Sequence, residues 1–213
     1  MTGSKSVATA ATAGYVLAGG ASSRFGRDKA LAQLEGKTML ARMCDLLCNA
    51  IGDVRVVASS ANYAGHDAVL LPDQWPGEGP LGGIITAIED APQRNPAATH
   101  CLILSCDMPF LSAGWLAYLC ARAAASPAQI MVPRSEHGLE PLCACWRVSA
   151  ATPLRRLFES GTRKVTEVFK HLDTEILDDA HWKRFDSAGR LFWNMNTPQD
   201  YERALEVLAQ ERK

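Results

Sequence analysis

At 213 residues the chain is long enough for one substantial core, and 47% apolar with 21% charged residues is the balance of an ordinary globular protein. A net charge of −1 excludes a global field for nucleic acid or an anionic membrane, so any anion must be held locally. No apolar run reaches the ~18 residues of a membrane span. Seven cysteines, scattered through apolar segments without zinc-ligand spacing, read as reduced core residues of a cytoplasmic protein.

Residues 1–13 are small and polar apart from Lys5, lack the apolar stretch of a secretory signal, and are expected to form a flexible leader. Gly14 to Ala18 predicts a short buried strand that ends at a glycine pair. The segment 31–34 is short and precedes Gly36. Thr38 can cap a helix over about 39–50, with Met39, Leu40, Met43, Leu46 and Leu47 on one face. Val54 to Ala58 and Ala68 to Leu71 predict two more buried strands. A Pro/Gly-rich loop then leads into a helix over 81–91. Cys101 to Ser105 is an apolar strand running into Cys106-Asp107, and Ser112 can cap a helix to about Ala125. Continuous apolar strands alternating with helices predict a mainly parallel sheet covered on both faces, whose ligands bind outside the strand carboxyl ends.

The second half differs. Gln129 to Pro133 and Pro141 to Arg147 flank a polar turn and predict a hairpin or strand pair. Helices are expected near 150–160 and 164–171, and a late strand over Thr174 to Leu177. Thr197, Pro198 and Asp200 form an N-cap, first helical position and capping-box acid for a last helix. Two halves, about 14–126 and about 127–213, are expected within one domain.

Two phosphate-loop signatures fail. Gly77-Glu78-Gly79-Pro80-Leu81-Gly82 satisfies G-x-G-x-x-G, but it does not directly follow a strand and carries a mid-loop proline, so an oxidoreductase reading is poor. Gly36-Lys37-Thr38 resembles the tail of a Walker A loop, but Leu31 stands where its first glycine belongs. The loop Leu17-Ala18-Gly19-Gly20-Ala21-Ser22-Ser23-Arg24-Phe25-Gly26-Arg27-Asp28-Lys29 is different. Its glycines allow close ligand approach, Arg24 can fork onto phosphate oxygens, and Lys29 supplies a compact charge. Asp73, after a strand, either contacts a base or ribose or caps a turn. Asp107, after a buried strand, either caps the turn before Pro109 or is paired or metal-bound. With phosphates nearby, Mg²⁺ is the natural partner.

Together, LAGG-x3-R-F-G-x-D-K, the late Pro72-Asp73, the GPLGG loop, Cys106-Asp107-Met108-Pro109 and Asn194-Met195-Asn196-Thr197-Pro198-Gln199-Asp200 resemble the molybdenum cofactor guanylyltransferase family over about Tyr15 to Leu208. The resemblance implies an α/β three-layer sandwich with a mainly parallel twisted sheet, Rossmann-like, of the nucleotide-diphospho-sugar transferase (glycosyltransferase-A-like) fold. It implies transfer of GMP from GTP to the phosphate of molybdopterin, with release of pyrophosphate. Leu17, Ala18 and Gly19 then resemble the backbone edge that reads guanine. Gly20, Arg24 and Lys29 resemble the phosphate grip, Asp73 a nucleotide-contacting aspartate, and Asp107 the Mg²⁺ ligand. Arg24, Lys29 and Asp107 are the expected catalytic residues, and Asn194 and Asn196 resemble acceptor-side asparagines. Arg134, His137 and Glu140 fall in the pterin-side loop. Phe25 replaces a customary methionine, and Ala58-Ser59-Ser60 occupies a region where the family often has asparagine.

The implied partners are GTP, molybdopterin, and cofactor-biosynthesis or acceptor proteins, with no nucleic acid, no membrane and a monomeric chain. The same chemistry with another nucleotide or acceptor (a molybdopterin cytidylyltransferase or a sugar-phosphate nucleotidyltransferase) is the nearest alternative. Gly20 in place of alanine favours guanine, because a side chain there crowds a purine. A non-catalytic nucleotide or pterin carrier is the alternative of another class, and intact Arg24, Lys29 and Asp107 argue against it.

Overall fold

The structure, a computed structural model, describes residues 11–19, 28–59, 63, 68–186 and 188–211. Strand β1 (Thr12–Leu17) is followed by a single 3-10 turn at Lys29–Leu31 and a small hairpin, β2 (Gln33–Leu34) and β3 (Lys37–Thr38). Helix α1 (Met39–Ile51) starts where the Thr38 hydroxyl accepts the Ala41 N–H at 3.2 Å and stops at Gly52, whose φ of 98° is left-handed. Then come β4 (Val54–Ala58), β5 (Val69–Pro72), α2 (Pro80–Arg94), β6 (His100–Ser105) and α3 (Ala113–Ala125), the last capped by Ser112 on the Trp115 N–H. The second half supplies β7 (Ile130–Ser135), β8 (Gly138–Leu139), β9 (Cys143–Arg147), α4 (Ala151–Glu159), α5 (Val165–Val168), β10 (Thr174–Leu177), α6 (Asp179–Trp182) and α7 (Pro198–Glu211). The expected capping box is present: Asp200 donates its N–H to the Thr197 hydroxyl, and its carboxylate accepts the Thr197 N–H.

The strands lie in the order β10-β7-β9-β6-β1-β4-β5, with β8 folded back on β7. β6, β1, β4 and β5 are parallel, as are β10 and β7, while β9 runs antiparallel to both its neighbours. Two apolar layers cover the sheet. One packs Leu40, Leu47, Trp115, Leu119, Ala204 and Leu208 from α1, α3 and α7 against one face. The other packs Leu81, Ile85, Ile88, Leu154 and Phe158 from α2 and α4 against the opposite face. This is the three-layer α/β sandwich that the strand pattern predicts. Gly14 lets α1 settle directly onto β1, because a Cβ there would stand 2.5 Å from Ile51 Cδ1.

Three expectations are corrected. Thr12 and Ala13 belong to β1 rather than to a leader: the Ala11 carbonyl accepts the Thr99 N–H, and β1 pairs from Thr12 onward with β6. The strand after β4 is not buried, since Val69 is 60% exposed; it is the edge of the sheet, with a neighbour on one side only. The helix expected over 164–171 is the single turn α5, because the chain turns after Phe169 to bring Asp173, whose carbonyl accepts the Gln129 and Ile130 N–H groups, to the start of β10.

His100 is buried in β6, its Nδ1 against the Thr99 hydroxyl and its Nε2 without a hydrogen-bond partner among the described residues. Burial first, and then the Arg147 charge, lower its pKa from 6.5 to about 4. The folded imidazole therefore stays neutral where the unfolded one charges. The stability tied to its neutral form is complete above pH 6.5 and is lost as pH falls toward 4. The full effect is on the order of 3 kcal/mol. His100→Gln is expected to flatten the acid side of a denaturation-midpoint-versus-pH curve. An unchanged slope between pH 6.5 and 4 would remove His100 as its source.

Candidate active site

The carboxyl ends of the parallel strands converge on one cavity of about 540 Å³. Leu17, Ala18 and Gly19 reach it from β1, Ser59 from β4, Asp73 from β5, and Ser105, Cys106 and Asp107 from β6. Gly77, Gly79, Pro80 and Gly83 close it from the loop and first turn of α2, and Asp28 with Lys29 from the 3-10 turn. Residues separated by up to 90 positions thus share one rim, because parallel crossovers return every strand in the same direction.

Local bonds fix each wall. The Ala18 N–H is committed to the Val57 carbonyl at 2.9 Å, which removes that donor from ligand recognition and leaves Gly19 as the free end of the edge. Gly19 has a φ of 115° with open space around its missing Cβ, so the backbone conformation there, and not crowding, calls for glycine. One Asp28 oxygen accepts the Ala30 N–H and the other accepts the hydroxyl of buried Tyr63 at 2.5 Å. That double anchorage holds the turn that carries Lys29. Lys29 Nζ donates to Asn196 Oδ1 at 2.8 Å.

Asp73 uses Oδ1 to accept the Trp75 N–H at 3.0 Å and the Thr86 hydroxyl at 3.3 Å, so the turn-capping use is real and coexists with a place on the cavity wall. The loop it begins is pinned from behind. Trp75 packs on Phe158 with centroids 5.3 Å apart, lies under the Arg155 guanidinium at 4.8 Å, and leaves no room for a side chain at Gly82. Arg163 ties Glu78 at 2.6 Å.

Asp107 follows the buried β6. The Ser105 hydroxyl donates to its Oδ1 at 2.5 Å, its carbonyl accepts the Met195 N–H at 2.8 Å, and Oδ2 accepts no hydrogen bond among the described residues. Beside it the Cys106 thiol donates to the Leu17 carbonyl at 3.4 Å; burial, and then the Asp107 charge, push its pKa well up. A thiol held protonated is no nucleophile. Among the described residues no group of three or more His, Cys, Asp or Glu side chains is arranged to hold a metal, so any cation here would share ligands with a bound anion.

The structure brings Leu17, Ala18, Gly19, Lys29, Asp73 and Asp107 onto this cavity. It attaches Asn196 through Lys29, while Asn194 points its Nδ2 at the Phe192 carbonyl, 3.1 Å away. Gly20 and Arg24 lie outside the described residues. Arg134 and His137 line a second cavity of about 1080 Å³ with Trp182, Trp193 and Arg203, whereas Glu140 is buried. The decoy glycines Gly77 and Gly79 line the first cavity as a helix entry, and Gly36 is the turn of the β2–β3 hairpin.

Sequence reasoning passed over Ser105, Asp28, Thr86 and Tyr63, all of which hold site residues. Asp28 and Ser105 were visible as polar residues beside Lys29 and Asp107. Tyr63 stands in a stretch without periodicity and gave no signal.

Residues 14–176 match the MobA-like NTP transferase domain. A molybdenum cofactor guanylyltransferase from Rhizobium johnstonii is 35% identical over 92% of this chain and 94% of its own length. One from Desulfosudis oleivorans is 30% identical over 91% and 94%. Among solved structures, the molybdopterin-guanine dinucleotide biosynthesis protein A of Archaeoglobus fulgidus superposes with a TM-score of 0.79 at 25% identity, covering 92% of this chain and 98% of that one. A 2-C-methyl-D-erythritol 4-phosphate cytidylyltransferase from Thermus thermophilus, 14% identical with a TM-score of 0.63 over 92% of this chain and 98% of its own, shares the fold. With its strand-end cavity, its fold and relatives aligned over nearly their whole length, this chain belongs to the MobA-like NTP transferases and, among them, to the molybdenum cofactor guanylyltransferase family.

Proposed function

We propose that the strand-end cavity binds GTP and that the chain transfers its GMP to the phosphate of molybdopterin, releasing pyrophosphate. The observation that carries this reading is the convergence of Gly19, Lys29, Asp73 and Asp107, from four separate segments, on one cavity in a chain 35% identical to a named guanylyltransferase. The acceptor phosphate oxygen forms a bond to the α-phosphorus, and the bond from that phosphorus to the α–β bridging oxygen breaks. Its electron pair leaves with pyrophosphate. The nucleophile is already an anion, so no strong general base is needed, and positioning with charge neutralisation is the main task. The edge ending at Gly19 reads the base, and Asp73 contacts the nucleoside. Lys29 offsets charge on the leaving pyrophosphate, joined by Arg24.

A divalent cation, Mg²⁺ in our reading, fits the donor set. Oδ2 of Asp107, which accepts no hydrogen bond among the described residues, supplies one carboxylate oxygen, and phosphate oxygens are the usual remaining ligands for this ion. When bound, it neutralises triphosphate charge and polarises the reacting phosphorus. Asp107 would hold it, and Ser105 keeps Asp107 aimed.

The larger cavity, lined by residues of 134–207, is the acceptor side; its wall includes Trp193, the residue before Asn194. Seven cysteines without a disulfide support a reducing, cytoplasmic setting, and few large apolar side chains are exposed among the described residues, which supports a monomer. No helix of the described residues is long and apolar enough to cross a membrane.

The test is pyrophosphate release with Mg²⁺, molybdopterin and each of GTP, CTP and ATP. Release is expected with GTP and only when molybdopterin is present. Preference for CTP would move the chain to the cytidylyl reaction, and tight binding without release would make it a carrier.

A further inference from the structure

Residues 73–79 connect β5 to α2, and Asp73, Gly77 and Gly79 of this loop line the strand-end cavity. No residue of the loop is fully buried, so burial alone does not fix its shape. Its apolar anchor is Trp75, which packs on the core layer formed by α2 and α4. The Trp75 N–H donates to Asp73 Oδ1 at 3.0 Å, and the Trp75 carbonyl accepts the Glu78 N–H at 3.2 Å. Trp75 therefore stands between the two parts of the loop that face the cavity, and its position fixes both.

Behind Trp75 stand two residues of α4, from the second half of the chain. Phe158 packs on its ring at 5.3 Å, and the Arg155 guanidinium lies 4.8 Å from the ring centroid. Arg155 is itself held by a fork: Nε donates to Glu89 Oε1 at 2.7 Å, and a terminal nitrogen donates to Oε2 at 2.5 Å. A bidentate pair fixes the plane of the guanidinium as well as its distance, so the cation is laid on the indole face in one orientation. In front of Trp75 lies the first turn of α2. A Cβ on Gly82 would stand 2.9 Å from Trp75 Cβ, and one on Gly83 would stand 3.4 Å from both Leu17 methyl carbons. The turn is thus in contact with Trp75 on one side and with Leu17, the start of the cavity edge, on the other.

We propose that Arg155 is a positioning residue for nucleotide binding: forked onto Glu89, it holds Trp75 against the first turn of α2 and so sets the spacing between the Leu17–Gly19 edge and Asp73. The kinetic consequence rests on the reading of this cavity as the GTP site; the brace itself is a property of the fold. Arg155 does not line the cavity, and Lys29 and Asp107 are held by other elements. Losing the brace therefore weakens nucleotide binding equally before and during transfer, which raises KM and leaves kcat.

The test compares Arg155→Ala, Arg155→Lys, Trp75→Ala and the double alanine variant as full chains. Arg155→Ala is expected to raise the KM for GTP about 10-fold, with kcat and the KM for molybdopterin unchanged. A merely structural role would lower the active fraction, and with it kcat, at constant KM. Arg155→Lys should recover part of the loss, since it restores the charge without the fork. Arg155→Ala on top of Trp75→Ala should add little, because both remove one link. Independently of activity, the Trp75 amide should exchange hydrogen about 10-fold faster in Arg155→Ala while the β6 amides keep their protection. An unchanged KM for GTP, a fall in kcat alone, multiplying effects in the double variant, unchanged Trp75 exchange, or faster exchange across the whole domain would each overturn the proposal. If the wild type transfers no GMP, the functional reading falls, and Trp75 exchange still decides whether Arg155 braces the loop.

Discussion

Asp107→Ala is expected to lower GMP transfer from GTP to molybdopterin by at least about 10²-fold, to the limit of detection, while the protein stays folded. The asymmetry follows from how the residue is bound. Its side chain has one bond among the described residues, from Ser105, and it stands at the half-buried end of β6 rather than within it. The Met195 N–H is held by the Asp107 backbone carbonyl, which alanine keeps. Deletion therefore costs the fold about one hydrogen bond, and takes from the cavity the carboxylate that is to hold the divalent ion. Asp107→Asn retains the shape and an oxygen that accepts the Ser105 hydroxyl but loses the charge, and should be nearly as inactive. Pyrophosphate release at saturating GTP and Mg²⁺, read beside a thermal melt, checks both. Near wild-type release from Asp107→Ala would remove the metal role.

Lys29→Ala is the second large effect, an expected loss of about 10²-fold in turnover, as is usual when a preorganised charge on a developing anion is removed. Lys29 is held by geometry rather than by ion pairing: its ammonium meets a neutral amide oxygen of Asn196, and no described residue forms a salt bridge with it. Its charge is thus available to a ligand. Lys29→Arg should restore charge and only part of the rate, because a planar fork does not reproduce a compact ammonium held beside Asn196. Steady-state kinetics with GTP as the varied substrate is the readout, and an unchanged kcat in Lys29→Ala would take this residue out of the site. Asn196→Ala should reproduce a smaller share of the loss, since it frees the side chain without deleting its charge.

Much of this was legible in the residue order. The apolar strands before Gly19, Ser59 and Asp107 and the caps at Thr38, Ser112 and Thr197 follow from local rules of burial and hydrogen bonding, and the structure keeps them. Asp73 and Asp107 stood out because polar residues ending apolar runs need a reason. Less legible was whatever depends on a neighbour distant in sequence. Ala68 to Leu71 reads as a buried strand because its side chains are apolar, yet β5 is the sheet edge and none of its residues is buried. Tyr63 carries no local pattern, and only its contact with Asp28 shows that it supports Lys29. Glu140 reads as one polar residue of an exposed turn, whereas β8 folding back on β7 buries it.

The sequence by itself determined the α/β class, the helix ends and the chemical types at the strand ends, because side-chain periodicity and capping act over a few residues. Only the tertiary structure decided which strand ends meet, that the Ala18 N–H is already spent on Val57, and that residues 195 and 196 join Asp107 and Lys29. Those depend on strand order and on contacts between residues far apart in sequence, which no local pattern encodes.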